Sequence, residues 1–360
     1  MDDTGLALRE AREAAGMSLS ALAMLTHFTR GHLSNVERGR RRATPDVVLA
    51  YERALGAEHV DRRTLLTGLA ASVVAPMVMS EALCGAFTAA LSPRVSIEEW
   101  HARADDYGRD YMSLGASELS SRLVADMVTL QQYVEQPAIW APAASLMTVY
   151  GKTLPSNDGR RGAIRWYTLA ARMADRSGDT HAQVWVRGRA ALALAYEHAE
   201  TPTAAILARR ALALSDKPSV ARLNALLARA HIIAGRGDLA ATLKAVEDAR
   251  REFQAVGSYD LTSDFAMPEW RFAVHESMLW SRLGEEGKAL VAQDIVDRLV
   301  PDELPRFRTH LELHRGLMLA NAGDRQGGAE YARTALERLP ADKRSLSLNL
   351  MMTEVEQVAS

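Results

Sequence analysis

The chain has 360 residues, of which 48% are hydrophobic and 24% charged, and its formal net charge is −2. These totals fit a folded globular chain with length for two domains, and they exclude a disordered polyelectrolyte or an overall polycation. The single cysteine, Cys84, rules out an intramolecular disulfide and fits a reducing, cytoplasmic setting.

No signal-peptide pattern is read at the start, where Met-Asp-Asp runs directly into an amphipathic helix over residues 6–15. Leu8, Ala11 and Ala15 form its inner stripe, and Gly16 ends it. Arg12 lies near that inner stripe, a position that asks for a partner because an unpaired buried charge is expensive. A second apolar-periodic run follows, with Leu19, Leu22, Ala23 and Leu25 assigned to one face. Thr29 then stands where a helix N-cap belongs, and Leu33 and Val36 give the next helix a narrow buried stripe. Arg30, His32, Ser34, Asn35 and Arg38 are left to face outward. Arg30 to Arg42 carries five arginines against one acid, Glu37, a local excess that suits phosphates. Thr44-Pro45-Asp46 starts a fourth helix, with a cap, a proline at the first position and an acid near the positive end of the dipole; Gly56 ends it.

These residues resemble the helix-turn-helix of the Xre/phage-repressor family. The frame appears as Leu8-Arg9, Arg12, Gly16-Met17-Ser18, Leu22-Ala23 and Glu37-Arg38-Gly39-Arg40. The resemblance implies that Arg30, Gly31 and Asn35 meet base edges and that Thr29, Arg38 and Arg40 meet phosphates. His32, Ser34, Arg41 and Arg42 complete the candidate DNA-binding set. It also implies an ion pair between Arg12 and Glu37. Two positions depart from the frame. The turn carries Thr26-His27-Phe28 where glycine is usual, which would place histidine at positive φ at some cost. Leu19 stands where a phosphate-touching glutamine is frequent.

Residues 61–96 are expected to connect the head, 1–60, to a body, 97–360. Asp61-Arg62-Arg63-Thr64-Leu65-Leu66 and the apolar run to Met79 look like a twin-arginine signal. The stretch is internal, contains Pro76, and is shorter than the roughly 18 apolar residues a membrane span needs. The expected reading is a connecting helix, with no membrane partner.

From Ile97 onward the patterns are helical, with little of the alternation that marks strands. Short Gly/Asp turns recur at Ser177-Gly178-Asp179, Gly235-Arg236-Gly237-Asp238, Leu283-Gly284-Glu285-Glu286 and Ala322-Gly323-Asp324. The spacing is irregular yet resembles degenerate tetratricopeptide repeats, best seen over residues 313–339. The other reading is an irregular helical bundle. The fold expected is therefore all-α, a helix-turn-helix head of the five-helix type followed by an α-solenoid of such helix pairs. A head and body of these kinds resemble the peptide-sensing RRNPP regulators and, more closely, the actinomycete regulators built the same way. That likeness implies a cytoplasmic homodimeric repressor of the quorum-sensing kind, reading a near-palindromic operator in double-stranded DNA and answering a peptide or small molecule.

Other motifs carry less. Gly151-Lys152-Thr153 lacks the upstream glycine of a P-loop, since Leu146 is there, and no strand precedes it. His310 and His314 share a helix face, but no further zinc ligands are fixed by spacing, and no metal or cofactor is expected. Trp166, Trp185, Trp270 and Trp280, with Tyr167, Tyr196 and Tyr259, are expected mainly as inter-repeat core. Arg187, Arg189, Asn224, Arg271 and His275 are polar within apolar helices. Among these residues Asn224, Tyr196, Arg189 and Trp185 are the candidate ligand contacts, Asn224 by likeness to the asparagine that holds the peptide in such sensors. No nucleophile–base–orienter set, paired carboxylates or cysteine–histidine dyad emerges, so no enzymatic activity is expected. The alternative function is a protein-interaction scaffold whose head no longer reads DNA.

Overall fold

In the computed structural model the described residues are 17–41 and 96–360, apart from 155, 199–200, 259 and 261, with positions 5, 8, 9, 12, 43, 44, 46, 47, 50, 51 and 54; the side chains at 117, 156–161 and 342 are also not described. The twin-arginine-like stretch, Cys84, Arg42 and Tyr259 therefore lie outside the described residues. The chain is all-α, with no strand among the described residues. It divides into two units, Met1–Ser80 and Glu81–Ser360. No helix among the described residues is long and apolar enough to cross a membrane.

In the first unit, α1 (Leu19–Leu25) and α2 (Arg30–Glu37) form the helix-turn-helix. Ser18 caps α1 by accepting from the Ala21 N–H, and Thr29 caps α2 by accepting from the His32 N–H. Leu8, Leu22, Leu33, Val36, Val47 and Tyr51 make the core, with Leu19, Ala23 and Phe28 packed on it. Leu25 departs from expectation: it is 63% exposed, and its neighbour Met24 is 82% exposed. The reason is angular. At about 100° per residue, Leu25 lies well off the stripe through Leu19, Leu22 and Ala23.

Among the described residues of the second unit, the first helices are α3 (Ile97–Ser113) and α4 (Ala116–Leu130). A reciprocal capping box of Ser96 and Glu99 starts α3. Five helix pairs follow: α5 (Trp140–Thr153) with α6 (Ser156–Ser177), α7 (Thr180–Tyr196) with α8 (Thr201–Leu214), and α9 (Val220–Ala234) with α10 (Leu239–Val256); then α11 (Glu269–Arg282) with α12 (Glu286–Leu299), and α13 (Pro305–Asn321) with α14 (Arg325–Arg338). The first helix of each pair also packs on the first helix of the next, and α15 (Leu346–Ala359) closes the row against α13 and α14. Such stacking buries apolar stripes that a lone helix pair would leave wet.

The recurrent Gly/Asp turns punctuate this row. Gly178, Gly237, Gly284 and Gly323 all have positive φ, which a side chain would strain. Asp179, Asp238 and Asp324 then cap the next helix through their carboxylates. The first helices α7, α9, α11 and α13 are buried almost all round, whereas α10, α12 and α14 bury narrower stripes. Charged and polar residues on the buried first helices are where a site has to be sought.

Candidate nucleic-acid interface and effector cavity

The head presents one polar helix on a braced frame. Arg12 clamps Glu37 with two parallel hydrogen bonds, Nε to Oε1 at 2.7 Å and Nη2 to Oε2 at 2.8 Å. Its third arm, Nη1, donates to the Met17 carbonyl at 2.8 Å. The Tyr51 hydroxyl donates to Glu37 Oε1 at 2.8 Å, and burial with the adjacent Glu37 charge pushes the Tyr51 pKa up. Glu37 at the end of α2 is thus tied to the opening segment, to the start of α1 and to the segment of Tyr51. Nothing in the periodicity pointed to Tyr51.

Outside this frame, Arg30, Gly31, Asn35, Arg38, Gly39, Arg40 and Arg41 are exposed. Gly39 has a φ of 67°, and the reversal lets Arg40 and Arg41 donate their N–H groups to the Asn35 carbonyl. Arg38 donates to the Ser34 hydroxyl at 2.6 Å. His32 is half-buried, stacked on Phe28 with ring centroids 5.0 Å apart, and its Nδ1 lies 3.2 Å from Arg41 Nη1. Of the candidate DNA-binding residues, Thr29 caps, His32 and Ser34 hold arginines, and Arg30 and Asn35 project from the first and second turns of α2.

The turn departs from expectation. No residue among Thr26, His27 and Phe28 has positive φ. Thr26 is extended instead, and its hydroxyl accepts from the Phe28 N–H at 3.4 Å, a side-chain-closed turn that makes a left-handed residue unnecessary. Leu19 packs on the head core, so that position is used for burial.

In the second unit the buried helices converge on a partly open cavity of about 70 Å³. Tyr111 comes from α3, Lys152 from α5, Arg189 and Tyr196 from α7, and Arg271 and His275 from α11. Arg306 and His310 of α13, and Ser345 and Ser347 at the start of α15, complete much of the wall. Below it lies Asp264, in the loop between α10 and α11, its side chain fully buried. That carboxylate accepts from Lys152 Nζ at 2.5 Å, from Arg189 Nη2 at 2.9 Å and from Arg271 Nη2 at 2.7 Å. Burial alone would raise the Asp264 pKa, but Arg189, Lys152 and Arg271 draw it well below the ordinary carboxylate value. Lys152 is shifted the other way: burial and the Arg189 charge push its pKa well down despite Asp264.

Beside the cavity, Tyr196 is ringed by His231, His275, His310 and His314. Its hydroxyl lies 3.2 Å from His310 Nδ1 and 2.9 Å from His314 Nε2. His314 Nδ1 reaches Ser277 Oγ at 3.0 Å, and His231 Nε2 reaches His275 Nδ1 at 3.2 Å. Burial lowers the pKa of all four histidines, with the charges of neighbouring groups adding to it, that of His310 to about 3. His310 and His314 do share a face, and what they share is a tyrosine; no group of three or more metal-ligating side chains occurs among the described residues.

Arg189 and Tyr196, two of the candidate ligand contacts, line the cavity; Trp185 and Asn224 do not. Trp185 stacks on Phe265, centroids 4.6 Å apart, and so supports the loop that carries Asp264. Asn224 is buried in α9 at the crossing with Gly188 of α7, with no partner for its Nδ2. Lys152, Asp264, Tyr111 and Arg306 escaped sequence reasoning. Of the other wall residues, polar character within an apolar helix marks Arg189, Arg271 and His275, the four-residue spacing marks His310, and aromatic character marks Tyr196.

A family model described as a helix-turn-helix domain matches residues 4–65. No curated protein and no solved structure matches the chain.

Proposed function

We propose that the chain is a sequence-specific transcription regulator of the Xre type. Its α2 enters the major groove, and its helical body dimerises and answers a peptide or small molecule. The observation that carries this reading is the pairing of a rigid mount with an exposed polar face. Glu37 fixes the end of α2 through Arg12 and Tyr51, while Arg30, Asn35, Arg38, Arg40 and Arg41 are left toward solvent. A guanidinium forks the acceptor edge of guanine and an asparagine amide pairs with adenine, which suits Arg30 and Asn35 to bases, whereas Thr29, Arg38 and Arg40 are assigned to phosphates.

Dimerisation follows from economy of contact. One eight-residue helix reads few base pairs, and two heads about 34 Å apart would read a near-palindrome. An effector can act only by binding one arrangement of the dimer more tightly than another. On this reading the protein is cytoplasmic and not an enzyme, and its body is a repeat-type sensor of the tetratricopeptide kind. Affinity for genomic fragments against random DNA, measured across a salt series, tests the DNA reading. Equal affinity for both at every salt concentration would leave the protein-interaction scaffold as the better account.

A further inference from the structure

The cavity holds more positive charge than its own groups neutralise. Three basic side chains, Lys152, Arg189 and Arg271, share the single carboxylate of Asp264. One carboxylate balances one of them. A fourth, Arg306, lies over the Tyr111 and Phe307 rings at 4.9 and 5.3 Å and donates to the Tyr111 carbonyl, not to a carboxylate. Of the lining residues, Glu197 is the acidic one. Even with the Lys152 charge disfavoured by burial, the guanidiniums of Arg189, Arg271 and Arg306 outnumber the carboxylates of Asp264 and Glu197, and an uncompensated buried charge is costly.

The donors differ in what they have left to give. Arg189 is committed to Asp264 through Nε and Nη2. Arg271 is committed through Nη2 to that carboxylate and through Nη1 to the carbonyls of Ser263, Asp264 and Ala266. These two build the floor. Lys152 gives one of its three ammonium hydrogens to Asp264 and lies 3.4 Å from the Tyr111 ring centroid. The start of α15 brings the positive end of a fourteen-residue helix to the same wall, with Ser345 and Ser347. A wall that combines basic side chains from α5, α7, α11 and α13, the hydroxyls of Ser345 and Ser347 and the rings of Tyr111 and Phe307 suits an oxygen anion better than a purely hydrophobic ligand.

We propose that this cavity binds the oxyanion head group, carboxylate or phosphate, of a small ligand, with Arg306, Lys152 and the first turn of α15 as its donors. Its volume suits a head of a few heavy atoms, the remainder of the ligand extending from the open side across Tyr111 and Phe307. The site gives the chemical class of the effector and rests on the reading of the body as an effector domain.

The test is calorimetric titration and thermal unfolding of the full chain with inorganic phosphate, benzoate and neutral benzamide, at fixed pH and constant ionic strength. Saturable stabilisation by phosphate identifies a phosphate head, by benzoate a carboxylate head, and benzamide is expected to do nothing. Arg306→Gln is expected to weaken the responding anion about tenfold or more, as loss of a charge-assisted bond does. Ser347→Asp places a carboxylate at the wall, and is expected to stabilise the ligand-free protein and abolish the anion response. Equal responses to all three probes, no response to any, or an unchanged affinity in both variants would overturn the proposal. Anion binding that leaves operator affinity unchanged would uphold the site and remove the effector reading instead.

Discussion

Arg12 and Glu37, twenty-five residues apart, meet in a two-pronged ion pair in which both residues are more than nine-tenths buried. The pair is closed on both sides, by the Met17 carbonyl on the guanidinium and the Tyr51 hydroxyl on the carboxylate. A buried pair with its remaining bonds satisfied adds little net stability, yet losing one partner is costly.

Arg12→Met or Glu37→Gln is therefore expected to destabilise the head by roughly 3–5 kcal/mol. Replacing both partners with apolar residues of similar volume should recover much of that loss. Chemical denaturation of the single and double variants measures the difference. Losses that simply add would mean the two charges do not depend on each other.

Arg38→Ala is expected to weaken binding to every DNA sequence alike and to reduce the salt slope by about one. Asn35→Ala should instead blur one operator position, by about 1–3 kcal/mol of discrimination. Selection of binding sites from a random pool separates the two. An unchanged preferred site for Asn35→Ala would remove that residue from base reading.

The four buried histidines predict acid sensitivity of the body. Their pKa values are lowered in the folded state, against an ordinary value of 6.5, so the unfolded chain binds protons first as pH falls. The stability they protect is whole above about 6.5 and is lost progressively below it, toward about 3 where His310 itself titrates. Each histidine can contribute up to about 1.4 kcal/mol per pH unit in that window. Unfolding midpoints of the body between pH 7 and 4.5 should fall steeply, and a flat profile would contradict the burial of the network.

Tyr196→Phe keeps the ring but strands two imidazole nitrogens in the interior. The expected cost is about 1–3 kcal/mol, the penalty for buried polar groups left without a partner. His314→Phe in the same background should cost less than it does alone. Thermal unfolding of the pair measures the coupling.

Legibility in the sequence followed distance along the chain. The head could be read because its signals are local: a cap at Thr29, a stripe through Leu33 and Val36, and arginines beyond Gly39. Its misreadings were local as well. Counting apolar residues puts Leu25 on the buried face where the helical angle puts it outside, and the absence of glycine says nothing of a turn that the Thr26 hydroxyl closes. In the body, the turns at Gly237, Gly284 and Gly323 announced helix pairs, because positive φ and an N-cap leave a mark in adjacent residues. The cavity left no such mark. Lys152 and Asp264 are 112 residues apart, and only the stacking of five helices brings them together. Lys152 sits in a Gly-Lys-Thr triplet whose sequence context lacks the upstream glycine and strand of a phosphate loop, so the triplet carries no hint of its partner either. Arg189 stands out as a polar group in an apolar helix and Tyr196 as an aromatic, but the polar criterion also selects Asn224, which lies at a helix crossing.

The hydroxyl of Tyr196 has one hydrogen and two imidazole neighbours. It can donate to His310 or to His314, and the ring that does not receive must itself point an N–H at the oxygen. The two rings face it through different atoms, Nδ1 in one case and Nε2 in the other. With both rings neutral, they consequently hold either the same tautomer label or a mismatched hydrogen bond: His310 on Nε2 with His314 on Nε2, or both on Nδ1. In the second arrangement His314 donates to Ser277, and in the first it accepts from that hydroxyl. The heavy atoms are the same in both. The body thus carries a two-position proton register written across α7, α11 and α13, one that nitrogen chemical shifts can read.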